Sequence, residues 1–311
     1  MADTDIRFDG RVAIVTGAGT GLGRSHALGL AARGARVMVN DLGVSRDGQG
    51  ASSEAAEAVA QEIRDAGGEA MAHGTDVSDE AGVTDMVAKV MAEWGRVDIV
   101  VNNAGILRDK TFAKMDIADF RKVVDVHLIG TTLVTRACWP IMREQKYGRV
   151  VLTSSASGIF GNFGQSNYGA AKAGMIGLMN VLHMEGARDN IRVNTLAPTA
   201  ATRMTEELMP ADAQELLAPE AITPGLLFLV GENAPSKFIL GAGAGSFAQI
   251  RIYETNGITL TDDENTPEAV AAQFTKLSDP EGQVELPDAF SQTKKYVANA
   301  AQARGLSLDW S

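Results

Sequence analysis

The sequence has a single cysteine, Cys138, in 311 residues. That leaves no partner for an internal disulfide and no cysteine-based metal site, and it suits a reducing compartment. Long apolar runs are missing too: the longest are interrupted by Gly, Arg or Asn well short of the roughly 18 residues a spanning helix needs. Asp3, Asp5, Arg7 and Asp9 occupy the start with no apolar stretch behind them, so no cleaved signal is expected. Basic charge is scarce, with 28 Lys and Arg against 39 Asp and Glu and a formal net charge of −11. Such a field repels phosphate polymers and anionic membranes, so neither nucleic acid nor membrane is an expected partner. His26, His73 and His183 stand apart without ligand spacing, so no metal is expected. What remains, 45% hydrophobic and 22% charged, is the composition of a folded α/β chain of one large domain or two small ones.

Short β-branched runs over 12–16, 36–40, 99–102, 150–153 and 192–196 alternate with Ala-rich helical patterns over 54–66, 81–94, 119–142 and 165–187. Most of these strands are apolar on both faces, which predicts a doubly wound parallel sheet covered by helices on both sides with right-handed crossovers. The character changes near Gly241, where Gly241-Ala242-Gly243-Ala244-Gly245 leads into a polar stretch. Residues 1–245 are therefore read as the core and 246–311 as a C-terminal extension, with helices opening at Pro267 and Pro287. The extension has too few apolar residues to fold alone and is expected to pack on the core or on a second subunit.

Directly after the first strand come Thr16-Gly17-Ala18-Gly19-Thr20-Gly21-Leu22-Gly23 and a helical pattern. Glycines there let the backbone turn sharply and approach a pyrophosphate, which the helix N-terminus attracts with unpaired N–H groups. A strand before and a helix after make this a dinucleotide loop. Asp41 lies 24 residues beyond Gly17 at the end of the second strand, close to the roughly 20 expected for an acid that binds ribose hydroxyls. A carboxylate repels a 2′-phosphate, and no Lys or Arg follows before Arg46, so the expected cofactor is NAD rather than NADP. The competing reading of Asp41 is a turn or cap residue.

Tyr168 and Lys172 are four apart on a predicted helix and project from one face. An ammonium beside a phenol favours the phenolate, which makes Tyr168 a candidate general acid/base. Ser155, thirteen residues upstream at a strand end, can hold a substrate oxygen against that phenol.

At this point the chain resembles the short-chain dehydrogenase/reductase family. The resemblance is carried by Thr16-Gly17-x-x-x-Gly21-x-Gly23, Asp76-Val77, Asn102-Asn103-Ala104-Gly105, Ser155 and Tyr168-x-x-x-Lys172, in the family's order and spacing. It implies that Ser155 positions the substrate oxygen, Tyr168 exchanges its proton, and Lys172 holds the nicotinamide ribose. It further implies cofactor contacts at Gly17, Thr20, Gly21, Leu22, Gly23, Asp41, Asp76, Val77, Asn103, Ala104 and Gly105, with Pro198, Ala200 and Thr202 near the carboxamide. His127 stands where the family usually has a catalytic Asn. Because that Asn works largely through its main-chain carbonyl, His127 is compatible with activity, but a direct proton role does not carry over.

Within the family the chain is similar to the (3R)-hydroxyacyl-CoA dehydrogenase units of type 2 multifunctional enzymes. The matching segments include Asn103-Ala104-Gly105-Ile106-Leu107-Arg108-Asp109, Ile159-Phe160-Gly161-Asn162-Phe163-Gly164-Gln165 and Thr266-Pro267-Glu268-Ala269-Val270. This implies NAD-dependent oxidation of (3R)-3-hydroxyacyl-CoA to 3-oxoacyl-CoA, sterol-derived CoA esters included. The alternatives are a 17β-hydroxysteroid dehydrogenase, a 3-oxoacyl reductase of fatty-acid synthesis, and a catalytically silent dinucleotide-binding regulator. Ile159, Phe160, Phe163, Met204 and Met209 are the expected apolar enclosure, and Arg108, Lys110 and Arg203 the expected cations for the CoA phosphates. The helices over 119–142 and 165–187 are expected to form a homodimer or homotetramer interface. The sequence ends in Leu308-Asp309-Trp310-Ser311, not Ser-Lys-Leu, so a free-standing cytoplasmic enzyme is expected.

Overall fold

The computed structural model describes residues 5–43, 53–200 and 211–308. Two compact units divide the chain, Met1–Ile250 and Arg251–Ser311. In the first, strands β1 (Val12–Thr16), β2 (Arg36–Asn40), β3 (Ala70–His73), β4 (Ile99–Asn102), β5 (Gly148–Thr153), β6 (Ile191–Thr199), β7 (Ile239–Gly243) and β8 (Ser246–Ile250) form one sheet. Its order is β3-β2-β1-β4-β5-β6-β7-β8, parallel throughout except for the antiparallel pair β7–β8. Adjacent residues of a strand face opposite sides, so Ala13 and Val15 enter one core while Val12 and Ile14 enter the other. The first core is closed by α1 (Gly21–Ala31), α2 (Glu54–Asp65) and the helix Thr223–Val230. The second is closed by α3 (Glu80–Trp94), α4 (Ile117–Val124), α5 (Gly130–Gln145) and α7 (Ser166–Gly186), with the short α6 (Ala156–Phe160) preceding α7. Cys138 lies in that second core, its thiol pushed up to about 12 by burial.

The doubly wound sheet expected from the alternating pattern is thus present. Strand β3, Ala-Met-Ala-His, has no β-branched residue and so carries no sequence signal. The Gly-rich run near Gly241 forms a hairpin, just past which the two units divide. Ala244 and Gly245, both at positive φ, turn β7 back into β8, and the first unit runs on to Ile250. The expected helix over 119–142 is continuous but not uniform: Asp125–Ile129 is a π-helical turn between α4 and α5.

In the second unit, the helix Pro267–Ala272 starts at its proline and is capped by Thr266, whose Oγ1 accepts from Ala269 N–H. The helix Ala289–Ala303 instead takes Asp288 as its cap, so Pro287 precedes it. Among the described residues, no helix is long and apolar enough to cross a membrane.

Strand order reverses between β1 and β4, which opens a crevice at the carboxyl ends of the strands. The candidate site is built there.

Candidate active site

A cleft of about 480 Å³ opens at this switch point. Its walls bring together Gly17, Thr20, Gly21, Leu22, Asp41, Asp76, Val77, Asn103, Ala104, Gly105, Ser155, Tyr168, Lys172, Pro198 and Ala200. Of the residues singled out from the sequence, Thr202 lies outside the described residues and Gly23 lies off the cleft wall. Gly23 packs beneath the loop, where a Cβ would come within 2.0 Å of the Gly17 carbonyl oxygen. Gly17 adopts φ +62°, and a Cβ there would meet Ala104 Cα at 2.7 Å. These two glycines allow the loop to sit directly on the end of β4, with the N-terminus of α1 facing the cleft.

Asp41 accepts the Gly19 and Gly43 N–H groups, both at 2.7 Å, one on each carboxylate oxygen. It therefore performs the turn-bracing job that was the competing sequence reading, yet it also lines the cleft. A carboxylate has about four acceptor positions, so two remain for ribose hydroxyls. Next to it, the buried Asn40 amide exchanges hydrogen bonds with the backbone of Thr75 at 3.1 and 3.2 Å, which fixes the segment carrying Asp76 and Val77. Burial alone would raise the Asp76 carboxyl. Bonds from Ser78 and the charge of Lys122, at 3.3 Å, outweigh burial and hold it below its ordinary value. Lys122 lines the cleft too, and no motif reading had selected it.

Ser155 caps α6 at the end of β5, accepting Ser157 N–H at 3.2 Å. Tyr168 and Lys172 lie one turn apart on α7, with the ammonium nitrogen 5.5 Å from the phenol ring centre. Lys172 is buried and donates to the Thr153 carbonyl at 2.5 Å, and burial pushes its amine down to about 7. The sequence suggests that this ammonium lowers the phenol. In the structure burial dominates and pushes Tyr168 up to about 12, opposed by its hydrogen bond with Ser155 and reinforced by the charge of Asp109. An amine near 7 carries only part of a charge at neutral pH, which weakens its pull on the phenol.

His127 sits in the π turn with its ring edge against Tyr168, centroids 5.1 Å apart. Its Nε2 lies within hydrogen-bond distance of both polar backbone atoms of Ile106, 2.8 Å from the carbonyl oxygen and 3.1 Å from the nitrogen. Burial and the Lys172 charge hold its pKa well below the ordinary value, so it is a neutral strut.

The other isolated histidines are structural: His26 is buried against Thr223 at 2.9 Å, His73 contacts Thr75 and His183 contacts Ser236. Among the described residues there is no cluster of His, Cys, Asp and Glu able to hold a metal.

On the remaining wall, Ile106, Leu107 and Val126 supply apolar surface beside Asp109, Asn162 and Gln165. The expected enclosure differs. Phe160 and Phe163 are exposed, Ile159 packs on the core, and Met204 and Met209 lie outside the described residues. Among the expected cations, Arg108 pairs with Asp119 at 2.8 Å, Lys110 stands 3.9 Å from the same carboxylate, and Arg203 is also outside the described residues.

The burial of Lys172 has a measurable consequence. Its folded-state pKa is depressed, so the cost of burying the charge is full below about pH 7 and fades as pH rises toward the unfolded value near 10.5. Lys172→Met removes this cost. The difference in Tm between the variant and the wild-type apoprotein should therefore be most favourable to the variant near pH 6–7 and shrink steadily towards about pH 10. Thermal unfolding across that range checks it, and a difference that grows with pH contradicts the assignment.

The model of the short chain dehydrogenase family matches residues 11–213. A protein of Mycobacterium tuberculosis named as a short-chain type dehydrogenase/reductase is 47% identical over 273 residues, covering 88% of this chain and 95% of that protein. The peroxisomal multifunctional enzyme type 2 of Drosophila melanogaster is 46% identical over 312 residues, covering 99% of this chain. This chain spans only 50% of that enzyme's length. The full-length structure of the fly enzyme superposes with a TM-score of 0.79 at 38% identity over 94% of this chain and 49% of that one. A 7α-hydroxysteroid dehydrogenase complexed with NADH and 7-oxo glycochenodeoxycholic acid superposes at 0.69 with 30% identity, over 77% of this chain and 95% of that one. With the fold, the cleft and these matches in agreement, the chain belongs to the short-chain dehydrogenase family.

Proposed function

We propose that the protein oxidises (3R)-3-hydroxyacyl-CoA to 3-oxoacyl-CoA with NAD. The observation that carries the reading is the meeting of Ser155, Tyr168 and Lys172 in one cleft with the Gly17–Gly21 loop and Asp41. A nicotinamide dinucleotide fits these residues. Gly17 and Gly23 leave no room for side chains where the loop meets β4, the N-terminus of α1 offers N–H groups to a pyrophosphate, and Asp41 keeps acceptor capacity for a ribose. Bound there, the cofactor supplies the hydride acceptor.

The chain's own groups do the rest. The Ser155 hydroxyl holds the substrate alcohol, and Tyr168, once ionised to its phenolate, takes the alcohol proton. Lys172, fixed on the Thr153 carbonyl, places a partly charged amine beside the phenol and a donor toward the ribose. His127 holds the loop at Ile106 in place.

The substrate class is supported by the likeness to multifunctional enzymes over nearly the whole chain. The likeness to a steroid-bound dehydrogenase supports weaker oxidation of steroid alcohols as a second reading. NAD rather than NADP is supported by Asp41. Arg46, the first cation after it, lies outside the described residues. We further propose a homodimer or homotetramer, because α7 presents Ala170, Ala173, Gly177, Val181 and Met184 as an exposed stripe of small and apolar residues.

Tyr168→Phe should lower turnover of (3R)-3-hydroxybutyryl-CoA roughly a hundredfold or more while NAD still binds, as followed by NADH absorbance and cofactor titration. Near-normal turnover removes Tyr168 from the chemistry. Asp41→Ala should narrow the preference for NAD over NADP, and should also raise the KM for both, since Gly19 loses its brace. A wild-type enzyme that prefers NADP refutes the role given to Asp41. Light scattering at micromolar concentration should give the mass of a dimer or tetramer; a fully active monomer contradicts the interface.

A further inference from the structure

The cleft carries a carboxylate to which the hydride-transfer geometry gives no task. Asp109 follows β4, and Gln165 Nε2–H donates to its Oδ2 at 2.7 Å. Gln165 Oε1 in turn accepts from Ser157 Oγ at 2.8 Å and Asn162 Nδ2 at 3.1 Å. Two more bonds tie the flanks of Asp109 to the start of α7: Lys110 N–H to the Gly164 carbonyl at 2.9 Å, and Asn167 Nδ2 to the Arg108 carbonyl at 3.0 Å. The carboxylate is therefore held in position on the same cleft wall as Tyr168. Among the described residues it has no ion-pair partner, because the adjacent cations Arg108 and Lys110 both face Asp119. Its charge reaches the reacting centre, as the upward push on the Tyr168 phenol indicates.

We propose that Asp109 is a specificity-determining residue whose tethered charge disfavours free 3-hydroxy acids while admitting the same alcohols as thioesters. The inference rests on the function proposed above. In a free 3-hydroxy acid the carboxylate is two carbons from the reacting carbinol. With the alcohol held by Ser155 and Tyr168, that carboxylate falls within about 5 Å of the phenol and near a like charge. Thioester formation deletes the charge and leaves the alcohol unchanged, so one repulsive group separates two substrates that an apolar pocket would not. Because Asp109 is exposed, its field is screened by salt, and discrimination of about tenfold is the scale expected.

The test compares kcat/KM, with NAD, for the N-acetylcysteamine thioester of (3R)-3-hydroxybutyrate and for the free acid. Both substrates use Tyr168, so any change in its ionisation cancels in their ratio. Asp109→Asn should lower the thioester-to-acid ratio about tenfold. Glu93→Gln, which removes the same charge from the exposed face of α3, should leave it within about twofold. In the wild type, raising ionic strength from about 0.02 to about 0.5 M should narrow the ratio, an arm that needs no variant. An unchanged ratio in Asp109→Asn, an equal change in Glu93→Gln, or a ratio insensitive to salt overturns the proposal. Wild-type enzyme that oxidises acid and thioester equally well overturns the inference and leaves the proposed function standing. Wild-type enzyme that oxidises neither, yet turns over steroid alcohols, overturns both.

Discussion

The site depends first on one clamp between the ends of two strands. The Thr16 hydroxyl at the end of β1 donates to the Val101 carbonyl at 3.4 Å and accepts the N–H groups of Asn103 and Ala104 at 3.1 and 3.2 Å. One donor and two acceptor positions are all a hydroxyl has, so Thr16 is saturated. Asn103 answers by donating both amide hydrogens to β1 and its loop, to the carbonyls of Thr16 at 3.2 Å and Gly17 at 3.0 Å. Five bonds thus fasten β4 to the phosphate loop where the sheet has no strand left to do so. The close approach is possible only because Gly17 and Gly23 carry no Cβ. The family resemblance placed Asn103 on the cofactor side of the cleft. It does line that side, but its amide hydrogens are spent on holding the loop.

Everything on the far side of the cleft is referred to that clamp. The segment leaving Asn103 passes Gly105, where a Cβ would come within 2.3 Å of His127 Cε1. The imidazole therefore lies directly under the backbone that the clamp has fixed. Its ring edge in turn meets Tyr168. The π turn contributes here: it delivers both Val126 and His127, consecutive residues, to the cleft wall. An Asn in this place would offer a shorter side chain, whereas the imidazole spans from helix to loop and packs on the phenol. His127 thus ties helix to loop beside Tyr168 while Ser155, Tyr168 and Lys172 stay in one cleft.

Much of this was legible in the sequence because it was written locally. A strand of β-branched residues followed by closely spaced glycines, and a Tyr with a Lys one helical turn on, are short-range patterns whose geometry hardly varies with context. The parts that were not legible are tertiary. Lys122 acquires meaning only through Asp76 across the cleft, and Asp109 only through Gln165 on another element. Neither spacing repeats a motif. Strand β3 was silent because its residues have no β preference of their own, and the β7–β8 hairpin was silent because its Gly and Ala residues become a strand only through their register on β6. Two residues of the expected apolar enclosure, Phe160 and Phe163, are not on the cleft wall. Both flank the site in sequence, but α6 ends at Phe160 and both rings are exposed.

Taken together, the buried groups show why such a site is poised rather than relaxed. Among the described residues Lys172 has no carboxylate partner, its surroundings bring its amine to about 7, and Tyr168 is buried enough to resist ionisation. Each departure opposes the charged form that the chemistry needs, so neither group settles into its ionised state in advance. A nearby carboxylate would stabilise Lys172 as an ammonium and would also oppose the phenolate beside it. The chain instead gives Lys172 a neutral acceptor, the Thr153 carbonyl, which orients the amine without adding charge, and places a neutral imidazole rather than a charged side chain against the phenol. Asp109, a carboxylate whose charge acts on Tyr168, is an exposed residue of the cleft wall, screened by solvent and tethered by Gln165. Polarity around the reacting centre is therefore graded from a buried, partly charged amine at Lys172 to an exposed carboxylate at Asp109.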